Sequence, residues 1–91
     1  MGTIAARKAA TIIGHAQEVL AIEMLCSAQA ADFKDAAKLA PGTRAAYDVI
    51  RSEVGFMEED RAIYPDKDRI VKMIRDGRIV EAVERTVGTL R

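Results

Sequence analysis

Cysteine, proline and aromatic residues are scarce in this 91-residue chain, which has one cysteine, two prolines and 4% aromatic residues. A single cysteine excludes a disulfide framework, and Cys26 is predicted to be a buried packing residue in a reducing compartment. The six glycines are scattered, so a glycine-rich phosphate loop is absent. The 14 basic residues balance 14 acidic ones without a strongly basic segment, which argues against nucleic-acid binding.

Long uncharged apolar runs are also absent. Glu18, Glu23 and Asp32 interrupt the longest candidate, whereas a membrane span needs about 20 consecutive apolar residues. A signal peptide is not indicated, because the segment after Arg7 and Lys8 has neither an adequate apolar region nor a cleavage pattern. We therefore expect a cytoplasmic protein that binds neither a membrane nor nucleic acid.

Most of the chain has helix-forming sequence without the alternation typical of strands, which predicts an all-α fold. The first helix is predicted from about residue 3 to about residue 38, where Pro41 and Gly42 follow as helix breakers. Thr43 is the predicted N-cap of a second helix. The inward stripe of that helix consists of Tyr47, Ile50, Val54 and Met57.

Two further breaks define the remaining helices. Tyr64-Pro65 interrupts the pattern, and Asp66 is the predicted N-cap of a third helix that ends at Arg75. Asp76-Gly77 is the predicted stop. A short fourth helix carries Ile79, Val80, Val83 and Val87.

The first helix is too long and too apolar for a domain of this size. Thirty residues span about 45 Å as a helix, whereas a compact domain of this length has a radius of gyration of about 12 Å. Two apolar stripes separate on its surface. The first consists of Ala6, Ala9, Ala10, Ile13, Leu20, Met24 and Ala31, and the second of Ile12, Val19, Ile22, Cys26, Ala30 and Phe33.

A polar strip, formed by Arg7, Thr11, Glu18 and Asp32, lies apart from both stripes. Helices two to four can cover one stripe, so the other needs a second chain or an upstream part of the same protein. Residues 1–91 are therefore interpreted as one helical segment that packs into an oligomeric bundle. The alternative is a small monomeric bundle whose first helix is kinked at Gly14.

Few side chains are candidates for chemistry. His15, the only histidine, has no cluster of ligands at metal spacing and is interpreted as a surface or interface residue. Glu23 lies among apolar residues, where it could mark a site or form a structural ion pair with Arg44, Arg51 or Arg61. The acidic run Glu58–Asp60 is interpreted as a solvated helix end rather than a catalytic pair.

Several segments, in order along the chain, resemble the C-terminal part of the histidine ammonia-lyases, which belong to the aromatic amino acid lyases. They are Met1–Thr3, Ala6–Lys8, Val19–Leu25, Ala28–Phe33, Phe56–Arg61 and Pro65–Asp66. The resemblance implies a homotetramer built on a bundle of long helices. It also implies elimination of ammonia from an amino acid by a methylidene-imidazolone electrophile, formed from an Ala-Ser-Gly tripeptide.

The resemblance assigns no catalytic, cofactor-binding or metal-ligating residue to this chain. Ser27 and Ser52 are not part of an Ala-Ser-Gly, and the chain contains no asparagine for the family's Asn-Gln-Glu motif. The catalytic tyrosine of the family lies far upstream, so neither Tyr47 nor Tyr64 matches it. The electrophile is therefore expected in an upstream part that is not in this chain.

Two functions remain open from the sequence. The first is a structural and oligomerisation piece of a histidine ammonia-lyase, which works with a companion lyase chain, with further copies of itself, or with both. The second is a stand-alone helical interaction module without enzymatic activity.

Overall fold

A computed structural model describes residues 2–57 and 61–90, and every regular element within these ranges is helical. The all-α prediction, with one long helix followed by three shorter ones, is confirmed. The elements are α1 (Gly2–Phe33), a 3₁₀ turn (Ala36–Lys38), α2 (Pro41–Glu53), α3 (Tyr64–Arg75) and α4 (Arg78–Val87).

Helix α1 ends five residues earlier than predicted, at Phe33 rather than near Lys38. The carboxylate of Asp35 accepts a hydrogen bond of 3.0 Å from the backbone N–H of Ala37 and caps the 3₁₀ turn. Aspartate side chains compete with helical backbone hydrogen bonds in this way, and so end helices. The alternative interpretation, a small monomeric bundle, predicts a kink at Gly14. Helix α1 is continuous through this residue.

Two predicted N-caps are wrong, because proline lies in the first turn of both helices and each helix begins before the predicted cap. Pro41 occupies the first turn of α2 with Ala40 as the capping residue, so Thr43 lies inside the helix. Pro65 likewise lies in the first turn of α3, which places Asp66 within that turn rather than before it. Proline suits the first helical turn, since its missing N–H would have no intrahelical partner there.

The predicted stop after α3 is confirmed, and a tight turn leads directly into α4. Gly77 adopts a φ of 74° in this turn, a left-handed conformation that glycine adopts without steric cost. Ile79 is buried on α4, Val83 is half-buried, and Val80 and Val87 are exposed.

The core lies where α1 packs on α3 and α2 packs on α4. Its buried members are Ala21, Leu25, Ala28, Ile50, Val54, Ile70, Val71, Met73 and Ile79. Only the second half of α1 contributes to this core, because residues 2–13 are exposed throughout. Residues 2–13 of α1 therefore contribute nothing to the core of the described chain.

The molecule is a thin slab, with extents of 50 × 36 × 17 Å and a radius of gyration of 14.9 Å. Its accessible surface is 6549 Å². A compact monomer of 9.9 kDa would expose only about 5200 Å². The chain thus exposes about 1300 Å² more than a self-sufficient domain of its mass.

Candidate functional site

The surface of α1 that its own chain covers is neither of the two predicted stripes. Ala21, Leu25 and Ala28 are the buried residues of α1, and they form a third apolar face against α3. Because both predicted stripes are left largely uncovered, the expectation that helices two to four cover one of them is wrong. Only Met24 and Ala31, at the edge of the first stripe, are half-buried.

Large apolar side chains on these stripes face solvent in the single chain. The exposed fraction is 67% for Ile12, 58% for Ile13, 55% for Val19, 45% for Leu20 and 42% for Ile22. Contiguous apolar surface of this extent marks an interaction site on soluble proteins. The exposed surface of α1 is therefore the candidate functional site of this chain.

An open apolar groove of about 770 Å³ lies between α1, the 3₁₀ turn and α2. Leu20, Met24 and Ala31 line its α1 side, and Tyr47 and Ile50 line its α2 side. We call this the α1–α2 groove. Its lining is mostly apolar and open to solvent.

A polar network fixes the end of α1 against α2. Arg51 donates a 2.6 Å hydrogen bond to Asp32 and a 3.0 Å hydrogen bond to the carbonyl of Val54. The hydroxyl of Tyr47 donates to the other carboxylate oxygen of Asp32. Gln29 exchanges hydrogen bonds with the backbone of Met57, at 2.8 and 3.1 Å. This network holds one wall of the α1–α2 groove in place.

The network shifts the titration of two of its members. The hydrogen bond from Tyr47 is the main cause that holds the pKa of Asp32 below its ordinary value, and Arg51 acts in the same direction. Conversely, the hydrogen bond to Asp32, followed by burial, raises the pKa of Tyr47. Around neutral pH the carboxylate is therefore ionised and the phenol is protonated.

This network is not apparent from the sequence pattern, in which Asp32 belongs to the polar strip of α1 and Tyr47 to the inward stripe of α2. One signal was present, because Asp32 continues the 21, 25, 28 spacing of the buried face by four residues. Residues at that spacing share one side of a helix, so Asp32 points towards the core and needs a partner there.

The other candidate residues lie apart from one another. His15 is exposed on α1, as expected for a surface residue. Cys26 is exposed as well, so the prediction of a buried thiol is wrong for the single chain. Within residues 2–57 and 61–90, no group of three or more His, Cys, Asp or Glu side chains is placed to hold a metal ion.

The expected ion pair of Glu23 with an arginine does not form. Glu23 is exposed at the rim of the α1–α2 groove. The three candidate arginines bind other carboxylates: Arg44 binds Asp48, Arg51 binds Asp32, and Arg61 binds Asp66. The acidic run of residues 58–60 lies outside the described residues.

Comparison with known proteins identifies the family of this chain. The sequence model of the family described as "Aromatic amino acid lyase" matches residues 1–52, more than half of the chain. The chain belongs to the aromatic amino acid lyase family. Helix α1 and all residues that line the α1–α2 groove lie within the matched residues.

Curated relatives of this lyase-family chain are histidine ammonia-lyases. "Histidine ammonia-lyase 2" of Fusobacterium nucleatum subsp. nucleatum is 48% identical over 91 residues, which are 100% of this chain and 18% of the relative. The enzyme of Natranaerobius thermophilus is 42% identical over the same share of both chains. That of Symbiobacterium thermophilum is 47% identical over 99% of this chain and 18% of the relative.

The chain thus spans less than a fifth of the length of these relatives, and it corresponds to a C-terminal segment of them. No solved structure matches it significantly.

Helix α1 is also long and apolar enough, by length and composition alone, to cross a membrane. The analysis of the sequence, which found no uncharged run of sufficient length, did not anticipate this. Helices in the core of soluble proteins have the same length and composition. In α1, only 11% of the most apolar stretch is buried within its own chain.

Proposed function

We propose that this chain is the C-terminal structural and oligomerisation segment of a histidine ammonia-lyase, an enzyme that eliminates ammonia from L-histidine to give urocanate. The observation that carries the proposal is the exposed apolar surface of α1, in a chain that belongs to the lyase family. A companion lyase chain covers the α1–α2 groove, and further copies of this chain cover the rest of α1.

The amount of exposed surface supports an obligate partner. The accessible surface of the chain exceeds that of a compact monomer by about 1300 Å². A stable interface needs about 800 Å² from each partner. Removing that excess from water stabilises the assembly, because apolar burial contributes roughly 25 cal/mol per Å². The excess surface of the chain is therefore sufficient for at least one standard interface.

The chain's own residues do not fit the family's electrophile. Ser27 follows Cys26, and Ser52 lies between Arg51 and Glu53, so neither can be the centre of an Ala-Ser-Gly tripeptide. Both serines also lie inside regular helices. We propose that the electrophile and the catalytic residues come from an upstream part of the protein or from a companion chain, and that the role of residues 1–91 is to complete and hold the assembly.

Protein neighbours explain the apolar surface of α1 better than lipid does. Arg7, Lys8, Glu18 and Glu23 all lie along α1, and a charged side chain at the centre of a bilayer costs about 2.5–3.5 kcal/mol. Between helices, the same charges can reach solvent or opposite charges at the edges of each interface. We accordingly propose a cytoplasmic assembly without a membrane-spanning segment.

A complementation assay tests the proposal. The purified chain is incubated with L-histidine, and the absorbance of urocanate is followed against a buffer blank. We expect no turnover from the chain alone. We expect turnover when a companion chain that contains the Ala-Ser-Gly and Asn-Gln-Glu segments is added, because the helical bundle is then complete.

The controls separate the possible outcomes. The companion chain alone sets the baseline, and an unrelated helical protein added to it tests for unspecific stabilisation. Activity of the 91 residues alone would contradict the structural role. Absence of activity after complementation would favour the stand-alone interaction module instead.

Leu20→Lys is expected to weaken complementation at least tenfold without unfolding the chain. Leu20 lines the α1–α2 groove and is 45% exposed, so lysine is tolerated until a partner covers it and then becomes a buried, unpaired charge. Circular dichroism checks the helix content, and titration with the companion chain measures the binding.

Thr11→Lys is the matched control for Leu20→Lys, since it adds the same charge to an exposed position of α1 away from the groove. Glu18 is less suitable as a control, because it forms a 3.6 Å ion pair with Lys67. Equal losses of binding in both variants would show that the groove is not the docking site.

A further inference from the structure

A side-chain amide of α1 holds the backbone that follows α2. This backbone segment, residues 54–57, is called the strap. The Nε2 of Gln29 donates a 2.8 Å hydrogen bond to the carbonyl of Met57, and the N–H of Met57 donates one of 3.1 Å back to the Oε1 of Gln29. At the start of the strap, Val54 is fully buried. The strap is therefore fixed to the end of α1 by a pair of hydrogen bonds.

Arg51 connects the strap to Asp32. One of its guanidinium nitrogens donates to the carbonyl of Val54 at 3.0 Å, and the other lies 2.6 Å from the carboxylate of Asp32 and 3.4 Å from the Oε1 of Gln29. Because the guanidinium group is planar and rigid, these contacts shift together. The side chain of Arg51 is only 13% exposed, so water does not readily replace a lost partner.

Tyr47 extends the same chain of hydrogen bonds to the α1–α2 groove. Its hydroxyl donates to the carboxylate oxygen of Asp32 that Arg51 does not bind, and its side chain lines the groove. Gln29 and the strap are not among the residues that line the groove. The groove and the strap are therefore separate surfaces at the two ends of one hydrogen-bonded network.

We propose that this network couples the α1–α2 groove to the strap, so that the contacts of Tyr47 in the groove set how firmly Gln29 holds Met57. Gln29 and Arg51 are positioning residues in this device. Because coupling between two sites is reciprocal, a segment that docks in the groove and fixes Tyr47 also tightens the strap. The start of the connection between α2 and α3 thereby responds to the occupancy of the groove.

The physical basis is a network with two arrangements, one in which the strap is bonded to Gln29 and one in which it is released. Hydrogen bonds in a poorly solvated network strengthen one another. Without the hydroxyl of Tyr47, the carboxylate of Asp32 is free to turn, and Arg51 loses its fixed position. Its contacts with Gln29 and with the strap then weaken as well.

Native-state hydrogen exchange measures how often the N–H of Met57 leaves Gln29. In Gln29→Ala, which removes the acceptor, we expect this N–H to exchange about tenfold faster. In Tyr47→Phe, which keeps the ring and removes only the hydroxyl, we expect an acceleration of about threefold. In the Gln29→Ala background, Tyr47→Phe should add nothing, because the link between the two positions is already broken.

Arg51→Lys tests the middle of the network. Lysine keeps the positive charge but lacks the planar fork that reaches several acceptors at once. We expect faster exchange of the Met57 N–H in this variant, and no further acceleration when Tyr47→Phe is added. Circular dichroism verifies that each variant retains its helix content.

Two controls separate the coupling from other effects. Tyr64→Phe removes the same hydroxyl from a tyrosine that is 68% exposed at the start of α3, and it should leave the exchange of Met57 unchanged. Val71→Ala truncates a buried side chain of α3 outside the network. It lowers the general stability, but it should not accelerate Met57, because the strap opens locally.

Three results would overturn the coupling. They are equal exchange of Met57 in Tyr47→Phe and Tyr64→Phe, equal acceleration in Tyr47→Phe and Val71→Ala, and an acceleration by Tyr47→Phe that persists in the Gln29→Ala background. The measurement uses the chain without a companion. Its outcome is therefore distinct from that of the complementation assay, which decides the proposed function.

Discussion

Asp32→Ala is expected to lower the free energy of unfolding by about 3 kcal/mol, the lower end of the range for breaking a buried ion pair. Asp32 and Arg51 retain exposed side-chain fractions of 19% and 13%, so the pair is mostly but not fully desolvated. The variant leaves a positive guanidinium group without its carboxylate. Among the described residues the Nε of Arg51 is already buried without a hydrogen-bond partner, and the guanidinium group keeps only the carbonyl of Val54 and, at 3.4 Å, the side-chain oxygen of Gln29 as acceptors.

Urea unfolding at a fixed protein concentration measures this loss, since association with further copies would otherwise alter the apparent stability. Asp48→Ala is the matched control. It removes the same kind of side chain from the Arg44–Asp48 ion pair, whose exposed fractions are 41% and 57%. Exposed pairs contribute about 0–1 kcal/mol. Equal losses in the two variants would contradict the structural role of the network.

The pH dependence of the difference in stability between the unmodified chain and Asp32→Ala supplies a second check. The pKa of Asp32 is lowered in the folded chain, so its stabilisation is present above about pH 4 and is lost as the pH falls through the folded-state pKa. The pKa of Tyr47 is raised, so its contribution is present below about pH 10 and is lost at higher pH. We expect the largest difference between the unmodified chain and Asp32→Ala near neutral pH.

Ile70→Ala is expected to cost about 2–5 kcal/mol, the range for truncating a large buried aliphatic side chain. Ile70 is 0% exposed and lies on α3 within the core that α3 shares with α1. Because a chain of this length has a total stability of about 5–14 kcal/mol, the loss is a large share of the stability and should lower the melting temperature clearly.

Ile63→Ala is the control for this substitution. It makes the same change one residue before α3, where the side chain is 48% exposed, and exposed positions usually change stability by about 0.5 kcal/mol or less. Thermal unfolding followed by circular dichroism compares the two. If Ile70→Ala melted at the same temperature as Ile63→Ala, the assigned core would be wrong.

The order and the number of the helices could be read from the sequence, because proline, glycine and apolar spacing act locally. The two wrong N-cap predictions have a common cause. Pro41 and Pro65 were interpreted as helix breakers, but proline is also well suited to the first turn of a helix. The early end of α1 depends on the side chain of Asp35, which can join a helix or cap the next turn. Tertiary packing decides between those local alternatives.

The candidate site was only partly predictable. The apolar spacing of α1 correctly indicated more apolar surface than one small chain can cover. It did not indicate which face is covered, because alanine is apolar but small and gives a weak signal. Ala21 and Ala28 are buried beside Leu25, whereas larger residues such as Ile12 and Val19 remain exposed. The face that α3 selects is the one that lets the two helices approach closely.

The sequence by itself determined the family, the all-α class, the excess of apolar surface on the first helix, and the absence of an Ala-Ser-Gly tripeptide. These properties follow from residue type and short-range spacing. Only the tertiary structure decided which face of α1 is buried, that Asp32 meets Tyr47 and Arg51, and that Glu23 and Cys26 face outward. Those outcomes depend on how α2 and α3 pack against α1, since contacts between distant segments are set by shape and charge in three dimensions.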